Sequence, residues 1–420
     1  MSKQLHKRLN QEDIKLILSR YDEGAIDRCV AQSQLGIGKS RFFEIMKVYR
    51  GDEDAFTTQY TRHTPTRLTP ETEKAIEKEL LEEKKLIEDP ELPIRFYNYS
   101  HVRDILCTDY KVTVSLDTII RRAKNLECYK PRKKRKRIHD REVITDYVGE
   151  LVQHDSSHHL WSPYASQKWY LITSLDDYSR RFLYADLVES ETSWTHIDAL
   201  KQACISFGVP VKYYSDQHRI FRFVAGRDSH CYKIQKKTDE VNTQWKQVCT
   251  DLGIKVTYAL SPQAKGKIER PYGWLQDRIV RRCAKKKVTS LKAAQKILYD
   301  EIYQYDSLRV HSTTKEIPSL RYERSVSDGT TLMRPLSIPK PYKDLADIFC
   351  FRDARIIDAY RKISFKSVEL KLSGVEPRQE VNIRFSPSKD LKTTQLRIWH
   401  REKLVDVRTV KTTDLKGVRF

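Results

Sequence analysis

The stretch "LSPQAKGKIERPYGWLQDRI", Leu260–Ile279, is where a strand pattern gives way to a helix pattern, and one acid, Glu269, stands there among Lys265, Lys267 and Arg270. A carboxylate ringed by cations is most often half of a surface ion pair. The reading changes if two upstream carboxylates can join it around a metal. Working outward, "VGELVQHD" from Val148 alternates as a strand, "KWYLITSLDDYS" is a strand ending in acids, and "RRFLYADLVES" is a third. "THIDALKQACISFG" is an amphipathic helix with Ile197, Leu200, Ala203 and Cys204 on one face. "VKYYSD" is a short strand, "EVNTQWKQVCTDLG" a helix and "IKVTYALSP" another strand, after which helices resume from Lys265.

The order β-β-β-α-β-α-β-α is the one expected of an RNase H-like sheet, in which strands one and four are neighbours. Asp155 closes the first strand pattern, Asp216 the fourth, and Glu269 opens the helix after the last. Neighbouring strand ends can bring two Asp side chains to one face, and the following helix can drop a Glu beside them. Three acids suit two Mg²⁺ ions, because Mg²⁺ prefers a few carboxylates plus waters and phosphate oxygens. One ion would activate an attacking hydroxyl or water, the other the leaving 3′-oxygen.

Other candidates are weaker. Asp176 and Asp177 precede the turn into "YSRRF", where capping or pairing with Arg is the expected role. His154, His158 and His159 flank Asp155 without a nearby cysteine, and His158 and His159 should point in different directions, which disfavours zinc. His218, two residues after Asp216, is an accessory candidate near the substrate or leaving group.

"ELVQHDSSHHLW", "LITSLDDYSRRFLYADLVES", "VKYYSDQHRIF" and "LSPQAKGKIERPYGWLQDRI" together resemble the DDE transposases of bacterial insertion sequences, in the branch with a retroviral-integrase-like core. The resemblance is dense from about Gly149 to Pro318 and implies Asp155, Asp216 and Glu269 as the catalytic and metal-binding triad. It implies Mg²⁺ as cofactor, two ions per site, with Mn²⁺ able to substitute. Asp216 and Glu269 lie 53 positions apart, a much longer interval than in retroviral integrases, and "RFVAGRDSHCYKIQKKTDEVN" reads as an inserted loop near 221–242. The N-terminal zinc-binding arrangement of those integrases is absent.

In its place stand helices. "AIDRCVAQSQLGIGKSRFFEIMKVYR" gives a helix, a break at Gly36-Ile37-Gly38 and a second helix. This is the helix-turn-helix pattern over residues 1–56, with Lys39, Ser40 and Arg41 where a recognition helix meets DNA. A second such domain spans 66–128, with Ser115 capping "SLDTIIRRAKN" and Arg121, Arg122 and Lys124 as its DNA contacts. The basic linker 129–147 carries Arg132, Lys133, Lys134, Arg135, Lys136 and Arg137, a like-charge run suited to phosphates or a minor groove. The core is expected over 148–320, a Pro-containing linker over 321–345, and a small SH3-like β-barrel over 346–420. Removing residues 1–130 is expected to leave the core folded.

Composition agrees. The 420 residues carry 78 Lys and Arg against 57 Asp and Glu, a net charge of +21, which calls for a polyanion. No apolar run reaches the length of a membrane span, and the basic N-terminus has no apolar segment behind it, so a cytoplasmic, nucleoid-associated protein is expected. The eight widely spaced cysteines make no CxxC pair and read as reduced thiols. The expected protein is a multidomain α/β DNA transposase that binds terminal inverted repeats and target DNA as a dimer or tetramer, with Lys265, Lys267 and Arg270 on the phosphates beside Glu269. The rivals are a transposase-derived DNA-binding regulator with an inactive core, and a nuclease of the RNase H superfamily.

Overall fold

A computed structural model of the chain describes residues 5, 9–58, 68–131, 144–222, 242–259 and 266–420, with side chains of the last segment described from 271. The chain divides into two compact units, Met1–Pro70 and Glu71–Phe420.

The smaller unit holds three helices, α1 (Gln11–Asp22), α2 (Arg28–Leu35) and α3 (Lys39–Gly51). Asn10 and Asp27 cap the first two by accepting from Asp13 N–H and Val30 N–H. Gly36, at φ +60°, ends α2 in the left-handed conformation, and Gly38 opens α3, as the Gly-Ile-Gly break predicted. Ile14, Leu18, Ala31, Leu35, Phe42 and Ile45 form its core, while Phe43 stays exposed.

The larger unit begins with α4 (Pro70–Glu88), α5 (Tyr99–Asp109) and α6 (Leu116–Asn125), the last capped by Ser115 as expected. The central elements follow as β1 (Val152–His159), β2 (Trp169–Asp176), β3 (Phe182–Val188), α7 (Ser193–Phe207), β4 (Lys212–Ser215), α8 (Gln244–Asp251), β5 (Lys255–Tyr258), α9 (Gly266–Lys285) and α10 (Leu291–Tyr303). The strands form one sheet in the order β3-β2-β1-β4-β5, antiparallel across β1–β3 and parallel from β1 through β4 to β5. Strands one and four are therefore neighbours. Both faces are covered: α7 and α8 share a core with Val152 and Tyr213, and α9 and α10 share another with Leu171, Leu175 and Leu187. That is why β2 is buried almost throughout rather than alternating. The expected insertion lies, for residues 223–241, outside the described residues.

The stretch 321–345 has more order than a linker. It completes α11 (Pro318–Ser327), then runs along the sheet unit, where Arg334 and Val209 exchange backbone hydrogen bonds of 2.7 and 2.9 Å. After the single turn α12 (Leu345–Ile348) come β6 (Phe351–Ile356), β7 (Lys362–Phe365), β8 (Val368–Lys371), β9 (Glu380–Pro387), β10 (Thr393–His400) and β11 (Lys403–Lys411). The expected barrel is not closed. Strands β11-β10-β9-β6 make an open antiparallel sheet, and β7 and β8 pair only with each other. A barrel would cover its interior with its own strands; here the apolar face continues into the core around α7 and α8, with Trp194 5.9 Å from Phe351 and 5.8 Å from Phe420. Asp251 of α8 also accepts from Arg352 and Arg384.

Candidate active site

The β1–β4 pairing sets the geometry. Val152 lies opposite Tyr213 and Gln153 opposite Tyr214. The ladder stops at Gln153 and Tyr214; Asp155 lies two residues beyond it on β1, and Asp216 two residues beyond it, just past the end of β4. Asp155 does not end β1, as the alternation had indicated; it lies inside the strand opposite Thr173, because the antiparallel ladder with β2 continues to His159. Asp216 follows β4 directly and accepts from His218 N–H at 2.9 Å, opening a turn. Both carboxylates are half-buried, and His218 is exposed beside them.

Helix α9 crosses this pair. The Tyr272 hydroxyl meets Thr173 Oγ1 at 2.7 Å, and Gln276 donates to Ser157 Oγ at 3.1 Å. Burial pushes the Tyr272 phenol well up, and the charge of Asp155, with smaller contributions from Glu191 and Asp216, adds to it. Glu269 lies in the first turn of α9, three residues before Tyr272. Its side chain, and those of Lys267 and Arg270, lie outside the described residues, as does Lys265 entirely. Among the described residues no three His, Cys, Asp or Glu side chains converge as a metal site. The donor set that is described, carboxylate oxygen with no sulfur beside it, fits a hard divalent cation such as Mg²⁺.

The rival acids are structural, as expected. Asp176 accepts from Gly149 N–H and from the backbone and hydroxyl of Ser179. Asp177 pairs with Arg180 at 3.2 Å. His158 stacks on Tyr170 and His159 meets Trp161 edge-on, so the two histidines diverge.

A group that the sequence reading missed lies across β1. His154 Nδ1 meets Ser174 Oγ at 2.9 Å, its Nε2 meets His196 Nδ1 at 2.8 Å, and His196 Nε2 meets Glu191 Oε1 at 3.0 Å. Ser156 donates to the same Glu191 oxygen. Burial pushes the Glu191 carboxyl up, but the hydrogen bonds from His196 and Ser156 overcome this and hold it down at about 2. The faint signal was His196 beside the apolar face of α7; nothing marked Glu191, which stands just before the Thr192 cap.

Of the DNA-contact candidates, Lys39, Ser40 and Arg41 open α3 and are exposed, with Arg41 2.8 Å from Glu44. On α6, Arg121 and Lys124 are exposed, and Lys124 lies 5.0 Å over the Tyr129 ring. Arg122 instead makes a two-pronged contact with Glu73 that ties α6 to α4. Arg132, Lys133, Lys134, Arg135, Lys136 and Arg137 lie outside the described residues.

No family model matches the chain. Its sequence is similar to those of curated transposases. The putative transposase y4bF of Sinorhizobium fredii is 27% identical over 265 residues, 63% of this chain and 53% of that protein. The transposase for insertion sequence IS1202 of Streptococcus pneumoniae is 28% identical over 171 residues, 41% of this chain and 35% of that protein. The aligned part is about half the length of the first relative and a third of the second. Among solved structures, the HTLV-2 integrase catalytic core domain in complex with magnesium is matched over 42% of this chain and 97% of that one, at 18% identity and a TM-score of 0.32. The simian T-cell lymphotropic virus intasome is matched over 71% and 89%, at 14% identity and a TM-score of 0.36. The chain is thus similar in sequence to two curated bacterial transposases, one of them the transposase of an insertion sequence. No helix among the described residues is long and apolar enough to cross a membrane.

Proposed function

We propose that the chain is a DDE transposase that cuts the 3′ ends of its element and joins them to target DNA. The observation that carries this is the placement of Asp155 within β1 and of Asp216 directly after its parallel neighbour β4, beneath a helix whose first turn contains Glu269. These three residues would hold two Mg²⁺ ions, or Mn²⁺ in their place, which when bound activate the attacking oxygen and stabilise the leaving 3′-oxygen. Asp155 is held within the antiparallel ladder of β1 with β2, opposite Thr173, and Asp216 by the turn through His218. Rigid carboxylates keep the scissile phosphate in line between nucleophile and leaving group.

Water attack on the phosphodiester at each element end leaves a 3′-hydroxyl. That hydroxyl then attacks a target phosphodiester; a new P–O bond forms, the target's P–O3′ bond breaks, and its 3′-oxygen takes up a proton. No covalent protein–DNA intermediate and no nucleotide are required. Terminal inverted repeats are held by Lys39, Ser40 and Arg41 on α3, by Arg121 and Lys124 on α6, and by the basic run, while Lys265, Lys267 and Arg270 grip phosphates beside Glu269. Joining two ends in one event needs at least a dimer acting at the nucleoid, and a tetramer meets the same need.

The test combines labelled element-end duplex, supercoiled plasmid and Mg²⁺ or Mn²⁺ with the wild type, Asp155→Asn and Glu269→Gln. The expected result is joined product from the wild type alone, lost by at least a thousandfold in both variants and on chelation, with end binding retained. End binding without cleavage or joining would make the chain a DNA-binding regulator, and cleavage without joining a nuclease.

A further inference from the structure

We infer that Glu191 and His196 are positioning residues that set the separation of Asp155 and Asp216 from the opposite face of the sheet; the inference rests on the metal-binding reading above. Side chains alternate along β1, so His154 and Ser156, the two neighbours of Asp155, point together away from it. Both end on Glu191: Ser156 directly, and His154 through His196. His154, His196 and Ser174 are fully buried, and the Glu191 side chain is 15% exposed. Buried polar groups that satisfy one another in this way rigidify and specify a single arrangement.

The chain of bonds has one direction. An ionised carboxylate only accepts, so His196 Nε2–H donates to Glu191. With both rings neutral, His196 Nδ1 accepts from His154 Nε2–H, and His154 Nδ1 accepts from the Ser174 hydroxyl. Every ring nitrogen of the two histidines has a partner. Glu191 fixes the tautomers of both rings and, through them, links β1, β2 and α7.

The same rings hold the Asp216 segment. Phe221 packs edge-on to His154 at 5.5 Å and to His196 at 4.8 Å. Phe221 and Arg222 both donate backbone hydrogen bonds to the His218 carbonyl, and His218 in turn donates to Asp216. Trp245 of α8 closes the cluster, stacked on His154 at 5.7 Å. One buried group therefore clamps β1 through hydrogen bonds and the turn after β4 through packing. Partners that orient metal ligands from outside commonly change affinity by about 10- to 100-fold when removed.

The experiment is a Mn²⁺ titration of the full chain followed by electron paramagnetic resonance, with melting curves and end binding in parallel. Glu191→Ala is expected to weaken Mn²⁺ binding about tenfold while end binding is kept. Glu191→Gln, whose amide oxygen still accepts from His196 and Ser156, is expected to recover most of that loss, which a requirement for bulk charge would not allow. Wild-type Mn²⁺ affinity in Glu191→Ala, or a Gln variant as weak as the Ala one, overturns the inference. Should Glu191→Ala not fold, Ser156→Ala removes a single hydrogen bond and is expected to weaken Mn²⁺ severalfold; unchanged binding overturns the inference equally. Asp155→Asn separates the two readings: if it leaves Mn²⁺ binding intact, the metal site itself falls, not only its support.

Discussion

The two N-terminal helical modules have the same outline, three helices with a short turn before the third, yet they are held by opposite means. The first, α1–α3, closes on its own apolar core, with Tyr21 edge-on to Phe42 at 4.9 Å. The second, α4–α6, is fastened to α9 largely by charge. Arg281, 2% exposed, reaches Glu83 at 2.5 Å, Asp277 at 2.9 Å and the Phe96 carbonyl. Arg278, 1% exposed, reaches Asp104 at 2.7 Å, and Lys285 reaches Glu79. Leu92 and Ile94 add an apolar patch against Val280 and Ala284. The difference lies in separability, not in shape. A module with its own core can be cut away, whereas removing the second uncovers the apolar patch around Val280 and Ala284, and removing one partner within it leaves a buried charge uncompensated at about 3–5 kcal/mol. The helix that receives those contacts is also the one whose first turn contains Glu269.

Truncation gives the largest effect. Removing residues 1–66 is expected to leave the melting transition of the larger unit unchanged, measured by calorimetry. Removing 1–130 strips Arg278 and Arg281 of Asp104 and Glu83 together, and a destabilised or insoluble product is expected. The expectation that 1–130 is dispensable to the core is revised on that ground; a soluble fragment with the full-length melting temperature would restore it. A single substitution comes next. Arg281→Ala strands Glu83 and should cost about 3–5 kcal/mol, read from denaturant unfolding of the larger unit. Arg281→Met combined with Glu83→Leu should cost far less, since neither charge is then left alone. Phe42→Ala, also fully buried, is expected to cost about 3–5 kcal/mol, but within the transition of the smaller unit alone. If it shifted both transitions equally, the contrast between the modules would fail.

The contrast also marks what could be read in advance. Strand and helix order from Val148 onward was legible because hydrophobic periodicity is local, and the roles of Asp176 and Asp177 followed from turn chemistry. The carboxylate pair was legible because the order of elements puts strands one and four side by side. The charged clamp was not: Arg281 and Glu83 are 198 positions apart, and "DRIVRRCAK" reads as a solvated helix face. Glu191 was hidden in part for the same reason: His196 stands only five residues ahead, but Ser156 comes from β1, 35 positions back. The barrel expectation failed because alternation reveals strands but not what covers their apolar face.

Arg41 and Arg122 carry the comparison down to its smallest effect. Both stand where a recognition helix would present basic side chains, and the sequence treats them alike. Among the described residues Arg41 pairs with Glu44, and the two side chains are 67% and 62% exposed. Such a pair contributes little in water, so Arg41→Ala should change the stability of the smaller unit by less than about 0.5 kcal/mol. Its effect should fall on DNA instead: weaker end binding, and a slope of log affinity against log salt reduced by about 1 if one phosphate contact is lost. Arg122, with both prongs on Glu73 of α4, should show the reverse, a loss in the melting transition of the larger unit. A salt titration of end binding beside two melting curves distinguishes the pair. Were Arg41→Ala to leave the salt slope unchanged, α3 would not lie along the element end, and the separable module would serve something other than end recognition.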